Sequence, residues 1–358
     1  MRLGFLTATP LNPIGGSGTF AGVSALAGGL RALGIEVEIV APRSRLPVYT
    51  ARRLWFNEQI RRRRWDAFDL VVGFDMDGYR IAGRTGRPHV ASIKGVIADE
   101  MRFERGLAQL SMSIQAACEA QHVRRADLVM TTSRYAAGRL QEFYGIRRSP
   151  VIVPELIDLA AWRELFRRNP ASPNPEEFTV LAVGRFYPRK RLDILLEAAA
   201  RLRGEIPGLR VRIVGRGPEW NRLQVMWRRL GLETTVRWLG DLSQDELARE
   251  YRRCDVFCLP SVQEGFGIVF LEAMAAGKPI VAARAAAVPE VVEDGLLVEP
   301  ESAAALAGGL GRLYQDAGLR GRLAEAGAKT VAKYNTPAVT QQFLSACGGT
   351  PPACPQHS

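Results

Sequence analysis

The sequence predicts an α/β protein built as two doubly wound, Rossmann-like domains facing across a cleft. Three observations carry that expectation. A chain of 358 residues exceeds what one ordinary core organises and points to two domains. Short apolar runs alternate with helical stretches, the pattern of parallel strands joined by helices. The alternation stops at a polar, proline-rich segment, Arg167 to Pro175, and then starts again.

In chain order, Leu3–Ala8 and Glu36–Val40 read as strands around an amphipathic helix at Val23–Leu33. Leu70–Phe74, His89–Ile93, Leu128–Thr132 and Val151–Val153 follow as strands of the first array. The second array has strands at Thr179–Val183, Arg210–Val214, Val236–Leu239, Val256–Leu259 and Pro279–Ala282. Helices are expected at Leu192–Leu202 and from Ile268 to a stop at Gly277. The expected domains are 1–160 and 161–334, with a helix at 335–347 packing back on the first domain and a loose tail at 348–358. The carboxyl ends of both sheets would line the cleft, which is the default ligand site of this architecture.

Composition narrows the function. An apolar fraction of 47% belongs to a folded globular chain, and no apolar run is long enough to span a membrane. Leu3–Ala8 leads into glycines rather than a cleavage site, so it reads as a strand and not a leader. The five cysteines are scattered and odd in number, which argues against a disulfide framework and for a cytoplasmic chain. Cys254 and Cys258 sit on a buried strand and lack the further ligands of a zinc site.

The net charge of +11 raises nucleic acid as a partner, but the charge is concentrated rather than spread. Eight arginines and one acid lie between Arg43 and Arg64, interleaved with Leu54, Trp55, Phe56, Ile60 and Trp65. Such a segment, Arg43–Trp65, suits peripheral contact with the inner face of a membrane or an anionic acceptor. The favoured alternative is a solvated helix that turns Trp55, Phe56 and Ile60 to the core.

The most informative stretch runs from Pro260 to Gly277. A strand ends, two glycines turn the chain, and a helix carries Glu272 among apolar neighbours. A carboxylate there needs hydrogen-bond donors, and ligand hydroxyls would supply them; a salt bridge is the plainer option. The amides after Gly265 open a helix N-terminus, where anions are favoured. In the second cluster, Gly184 to Arg191, Arg185 and Lys190 follow a strand and could hold a diphosphate. The third is Gly15-Gly16-Ser17-Gly18, a glycine-rich turn after the first strand. It lacks the acid that dinucleotide-binding proteins place after strand two.

Together these elements resemble glycosyltransferase family 4, retaining enzymes of the GT-B architecture. The resemblance rests on the E-x7-E pair Glu264 and Glu272, on Gly184-Arg185 with Lys190, on Val214 to Pro218, on Leu239-Gly240 and on Pro289-Glu290-Val291-Val292. In the first half it is looser: the glycine loop, Ala126 to Val129, and Ser133.

The resemblance implies roles and a nucleotide-sugar donor. Glu272 would hold ribose hydroxyls and Glu264 would face the sugar. Arg185 and Lys190 would bind the diphosphate. Amides of Phe266, Gly267 and Ile268 would hold sugar hydroxyls or phosphate, and Gly16 would pack against the phosphates. No cofactor and no metal is expected. Front-face attack with retention is implied, on an acceptor that is undetermined, with anionic or lipid-linked ones compatible.

Three departures stand out. Lys94 occupies the family's histidine position, which suggests a carboxylate or phosphate on donor or acceptor; a salt bridge to Asp99 or Glu100 is the equal alternative. Glu155-Leu156-Ile157-Asp158 replaces the usual Asn-Gly-x-Asp, and Ala285-Ala286-Ala287-Val288 replaces a glycine-rich turn ahead of a shortened segment after Gly295. Asp75-Met76-Asp77 has the form of a metal motif but falls in the first half, so Asp75, Asp77 and Asp99 are expected on the acceptor side. Two rival readings stay open. A nucleotide-sugar 2-epimerase would need acid–base groups that His89, His122 and His357 supply poorly. An inactive nucleotide-binding scaffold is the other.

Overall fold

The computed structural model describes residues 1–10, 13–42 and 46–348, with backbone alone at 13–17. Two compact units appear: Met1–Leu156 with the segment from Thr336, and Ile157–Asn335.

Unit 1 runs β1 (Arg2–Leu6), α1 (Pro13–Ala32), β2 (Glu36–Val40), α2 (Tyr49–Arg61), β3 (Leu70–Phe74) and β4 (His89–Ile93). It continues with α3 (Ile97–Glu100), α4 (Gly106–Arg125), β5 (Leu128–Thr131), α5 (Arg134–Tyr144) and β6 (Val151–Ile152). All pairings are parallel, in the order β2-β1-β3-β4-β5-β6. Every residue of β3 and β4 is buried, as expected for a strand covered on both faces.

Unit 2 holds α6 (Leu159–Arg168), β7 (Phe178–Val183), α7 (Leu192–Leu202), β8 (Leu209–Val214), α8 (Trp220–Arg229), β9 (Val236–Gly240), α9 (Gln244–Arg253) and β10 (Val256–Leu259). Then come α10 (Ile268–Ala275), β11 (Ile280–Ala283), α11 (Val288–Val291), β12 (Leu296–Val298), α12 (Ala303–Gln315) and α13 (Ala317–Thr330). Its parallel sheet has the order β12-β11-β10-β7-β8-β9. The last helix, α14 (Thr336–Ala346), returns to unit 1, where Val339, Phe343 and Leu344 join the core of Phe5, Leu26 and Leu30.

Three features differ from the sequence reading. The glycines at 15–18 lie inside α1, which starts ten residues earlier than expected; Pro13 at the first helical position pre-sets the backbone dihedral there. The segment after Gly295 forms a short edge strand, β12, too brief and too half-buried to announce itself. Ala286, in the turn expected to want glycine, has a φ of 50°, a left-handed conformation held without one.

Candidate functional site

In each sheet the strand order reverses at one place, and crevices outside the carboxyl ends of strands form there. In unit 2 that place lies between β10 and β7. The loops leaving these strands are joined by backbone, since Val262 N–H donates to the Arg189 carbonyl at 2.9 Å. On the other side of β7, Phe186 N–H donates to the Arg216 carbonyl at 3.0 Å. Gly215 must be glycine: its φ is 118°, and a Cβ would sit 2.1 Å from the Gly184 carbonyl oxygen. Phe186 is buried against Trp220 and Trp238, which anchors the chain beside Arg185.

These loops bring Lys190 to Glu264. The ammonium donates to Glu264 Oε1 at 2.5 Å, and both side chains are largely buried. Gly267, with a φ of 91°, opens α10, so the Ile268 amide has no intrahelical acceptor. Phe266 is buried edge-on to Tyr334.

One turn into α10, Glu272 is half-buried. The Tyr251 hydroxyl donates to its Oε2 at 2.8 Å, and its Oε1 has no partner among the described residues. Burial pushes this carboxyl up to about 7, with the Tyr251 hydrogen bond opposing the shift. The need for donors read from the sequence is thus half met inside the protein, by a tyrosine that sequence reasoning missed. Tyr251 sits on α9, distant in sequence, with nothing in its own neighbourhood to mark it.

In unit 1 the reversal falls between β1 and β3. Asp75 leaves β3 with a φ of 53° and accepts from Lys94 N–H at 2.9 Å. Burial raises its carboxyl to about 6. Lys94, at the end of β4, reaches Glu155 rather than Asp99 or Glu100, donating to Oε2 at 3.1 Å. Both side chains are 8% exposed. The two departures from the family pattern are therefore one buried ion pair. Gly22 of α1 makes room, because a Cβ there would lie 2.3 Å from Glu155 Oε2.

Asp77 and Asp99 do not suit an acceptor. Asp77 is fully buried and accepts four hydrogen bonds, from Ala8 N–H, Asn57 and twice from Arg53. Asp99 is fully buried, accepting from Arg102 and the Tyr135 hydroxyl. Among the described residues no three His, Cys, Asp or Glu side chains gather as a metal site would require.

His89 opens β4, buried against His122 with the two Nε2 atoms 2.8 Å apart. His122 Nδ1–H donates to the Asp75 carbonyl, and burial lowers its pKa to about 4. A neutral His122 thus leaves Nε2 to accept from His89, and the pair supports the Asp75 turn.

The basic segment also sorts itself. Phe56 and Ile60 are buried as expected and Trp65 is buried as well, whereas Trp55, expected to face the core, is 48% exposed. The stripe facing inward includes Arg53 and Asn57 instead, drawn in by Asp77. Arg61, Arg63 and Arg64 join Arg80 and Arg84 around a groove of about 340 Å³. Its Trp65 and Thr85 lie ahead of β3 and β4, at the amino ends of the strands, away from Asp75 and Lys94. Arg43 and Arg45 lie outside the described residues, as does the tail from 349.

Breaking the Lys94–Glu155 pair has a predictable result. Lys94→Met leaves Glu155 buried without a counter-charge, so unfolding in urea should show a loss of about 3 kcal/mol. Adding Glu155→Gln should recover most of it. Equal stabilities of wild type and Lys94→Met would show that the pair contributes nothing.

A family model described as Glycosyltransferase Family 4 matches residues 15–161, and one described as Glycosyl transferases group 1 matches residues 164–330. A D-inositol 3-phosphate glycosyltransferase of Streptomyces bingchenggensis is 35% identical over 235 residues, 60% of this chain and 51% of that protein. The chain thus spans about half the length of the curated relatives it matches. Sucrose-phosphate synthase from Thermosynechococcus elongatus superposes with a TM-score of 0.82 at 21% identity, covering 97% of this chain and 98% of that one. Anabaena HepE in complex with UDP-glucose gives 0.72 at 20% identity, covering 97% and 99%. The chain belongs to glycosyltransferase family 4.

Proposed function

We propose that this chain is a retaining glycosyltransferase that moves a sugar from a nucleoside-diphosphate donor to an acceptor hydroxyl. The observation that carries the reading is the constellation on unit 2. Lys190 and Glu264 meet where the stitched loops leave β7 and β10, and one turn into α10 Glu272 has an oxygen without a partner among the described residues.

On this reading Glu272 holds the ribose hydroxyls, and Lys190 turns from Glu264 to the diphosphate, which Arg185 shares. Glu264 is thereby released to the sugar hydroxyls, with the amides of Phe266, Gly267 and Ile268 beside it. As the C1–O bond to phosphate breaks, the acceptor oxygen bonds to C1 from the same face. Its proton passes to the departing phosphate, giving free nucleoside diphosphate. Cationic side chains neutralise the leaving group, so the step needs no metal. Asp75 in unit 1 is the acceptor-side carboxylate of this scheme. Lys94 has its charge matched by Glu155, which favours a positioning role over recognition of an anionic sugar.

UDP-sugars are the first donors to try, because HepE holds UDP-glucose, and D-inositol 3-phosphate is the first acceptor, from the name of the curated relatives. The test is a panel of UDP-, GDP- and ADP-sugars, followed by nucleotide release and product NMR, with and without EDTA. Release should follow one nucleotide, be indifferent to EDTA and give a product with the donor's anomeric configuration. A sugar epimerised without release, or no release from any donor, would overturn the proposal.

A further inference from the structure

Apolar residues exposed singly on a surface need no explanation, but a contiguous set does. In α4, Leu107 is 84% exposed, Leu110 60% and Ile114 45%. Their spacing, i, i+3 and i+7, puts them on one stripe of the helix, about 10 Å long. The adjacent edge of α4 packs on the start of α2, where the Ser111 and Thr50 hydroxyls lie 2.6 Å apart and Arg53 bonds Gln115 at 3.1 Å. The chain entering α2 adds Leu46 and Val48, 41% and 61% exposed.

The charge carried by these two segments themselves has one sign. No Asp or Glu occurs from residue 39 to 57 or from 105 to 118. Arg105 is exposed just ahead of α4, and the Arg52 guanidinium lies over the Tyr49 ring at 5.2 Å. An apolar stripe on segments whose own charges are all cationic complements an anionic lipid surface, with Glu104, half-buried just ahead of Arg105, the nearest acid in sequence to the stripe. No helix among the described residues is long and apolar enough to cross a membrane, so α4 would lie in the interface.

We infer that the first turns of α4, with the entry to α2, form a docking face for a bilayer containing anionic phospholipid. The face is distinct from the arginine groove at the amino ends of the strands. Helices that follow parallel strands begin at the carboxyl edge of the sheet, so this face and Asp75 share one end of unit 1. A hydroxyl presented at the lipid surface is thereby brought to the acceptor-side carboxylate.

The test uses the whole chain and needs no donor, so its outcome is separate from that of the transferase assay. Vesicles of phosphatidylcholine alone, and mixed equally with phosphatidylglycerol, are sedimented with wild type and with Leu107→Gln/Leu110→Gln/Ile114→Gln. Wild type should sediment with the mixed vesicles, less at high salt, and the triple variant should bind about tenfold more weakly or worse. Its unfolding midpoint should match wild type, and single Leu107→Gln should show an intermediate loss. No binding to the mixed vesicles, or equal binding of the triple variant, overturns the inference. So does a wild-type dimer in light scattering that the triple variant dissolves, which would assign the stripe to a second copy of the chain.

Discussion

Glu272→Gln should melt at a higher temperature than wild type at pH 8 while binding donor about a hundredfold more weakly. The folded protein holds this carboxyl near 7, against about 4.5 for an ordinary glutamate. A raised folded pKa means that the fold disfavours the charged form. The resulting deficit is absent below 4.5, grows between 4.5 and 7, and is full above 7. Glutamine cannot ionise yet still accepts from Tyr251. After a discount for partial exposure, its gain should be about 1–2 kcal/mol at pH 8 and close to nothing at pH 4. Donor affinity of the wild type should climb over the same rise in pH, because the ionised carboxylate accepts from the ribose hydroxyls. Calorimetric melts across pH and a donor titration check both halves. A stabilised variant with undiminished donor affinity would remove Glu272 from the ribose.

The largest purely structural effect should come from Asp77→Ala. Removing this carboxylate strands Arg53, 4% exposed, together with the Ala8 amide and Asn57. Breaking a buried pair from one side costs about 3–5 kcal/mol, and orphaned donors add to it. Urea unfolding should register a loss of that size or no folded protein at all. Arg53→Met with Asp77→Leu should recover much of it, since apolar replacement of a whole buried pair is often close to neutral. A loss under about 1 kcal/mol for Asp77→Ala would show that water reaches the pair.

Much of the architecture was legible because buried parallel strands advertise themselves as apolar runs. Glu36–Val40, Leu70–Phe74, His89–Ile93 and Val256–Leu259 fall on the residues the sequence marks. The strand β12, three half-buried residues at a sheet edge, has no such run. Within the candidate site, legibility followed sequence distance. Glu264 and Glu272 announce themselves on one loop and helix. The Lys94–Glu155 pair spans 61 residues, and the sequence reading gave the lysine the nearer acids. Arg53 looked solvated because seven of its neighbours in the segment are also arginines, whereas Asp77 and Gln115, both reached through the fold, draw it inward. Pairings set by tertiary approach are hidden from local pattern.

The return of α14 to unit 1 has a consequence for how the chain matures. The uninterrupted stretch Ile157–Asn335 holds the whole of unit 2, whereas unit 1 lacks Val339, Phe343 and Leu344 until unit 2 has been made. On the ribosome the second half can settle as soon as it emerges. The first half must wait with Phe5 and Leu30 partly uncovered, and transiently exposed apolar surface of that kind is what chaperones shield.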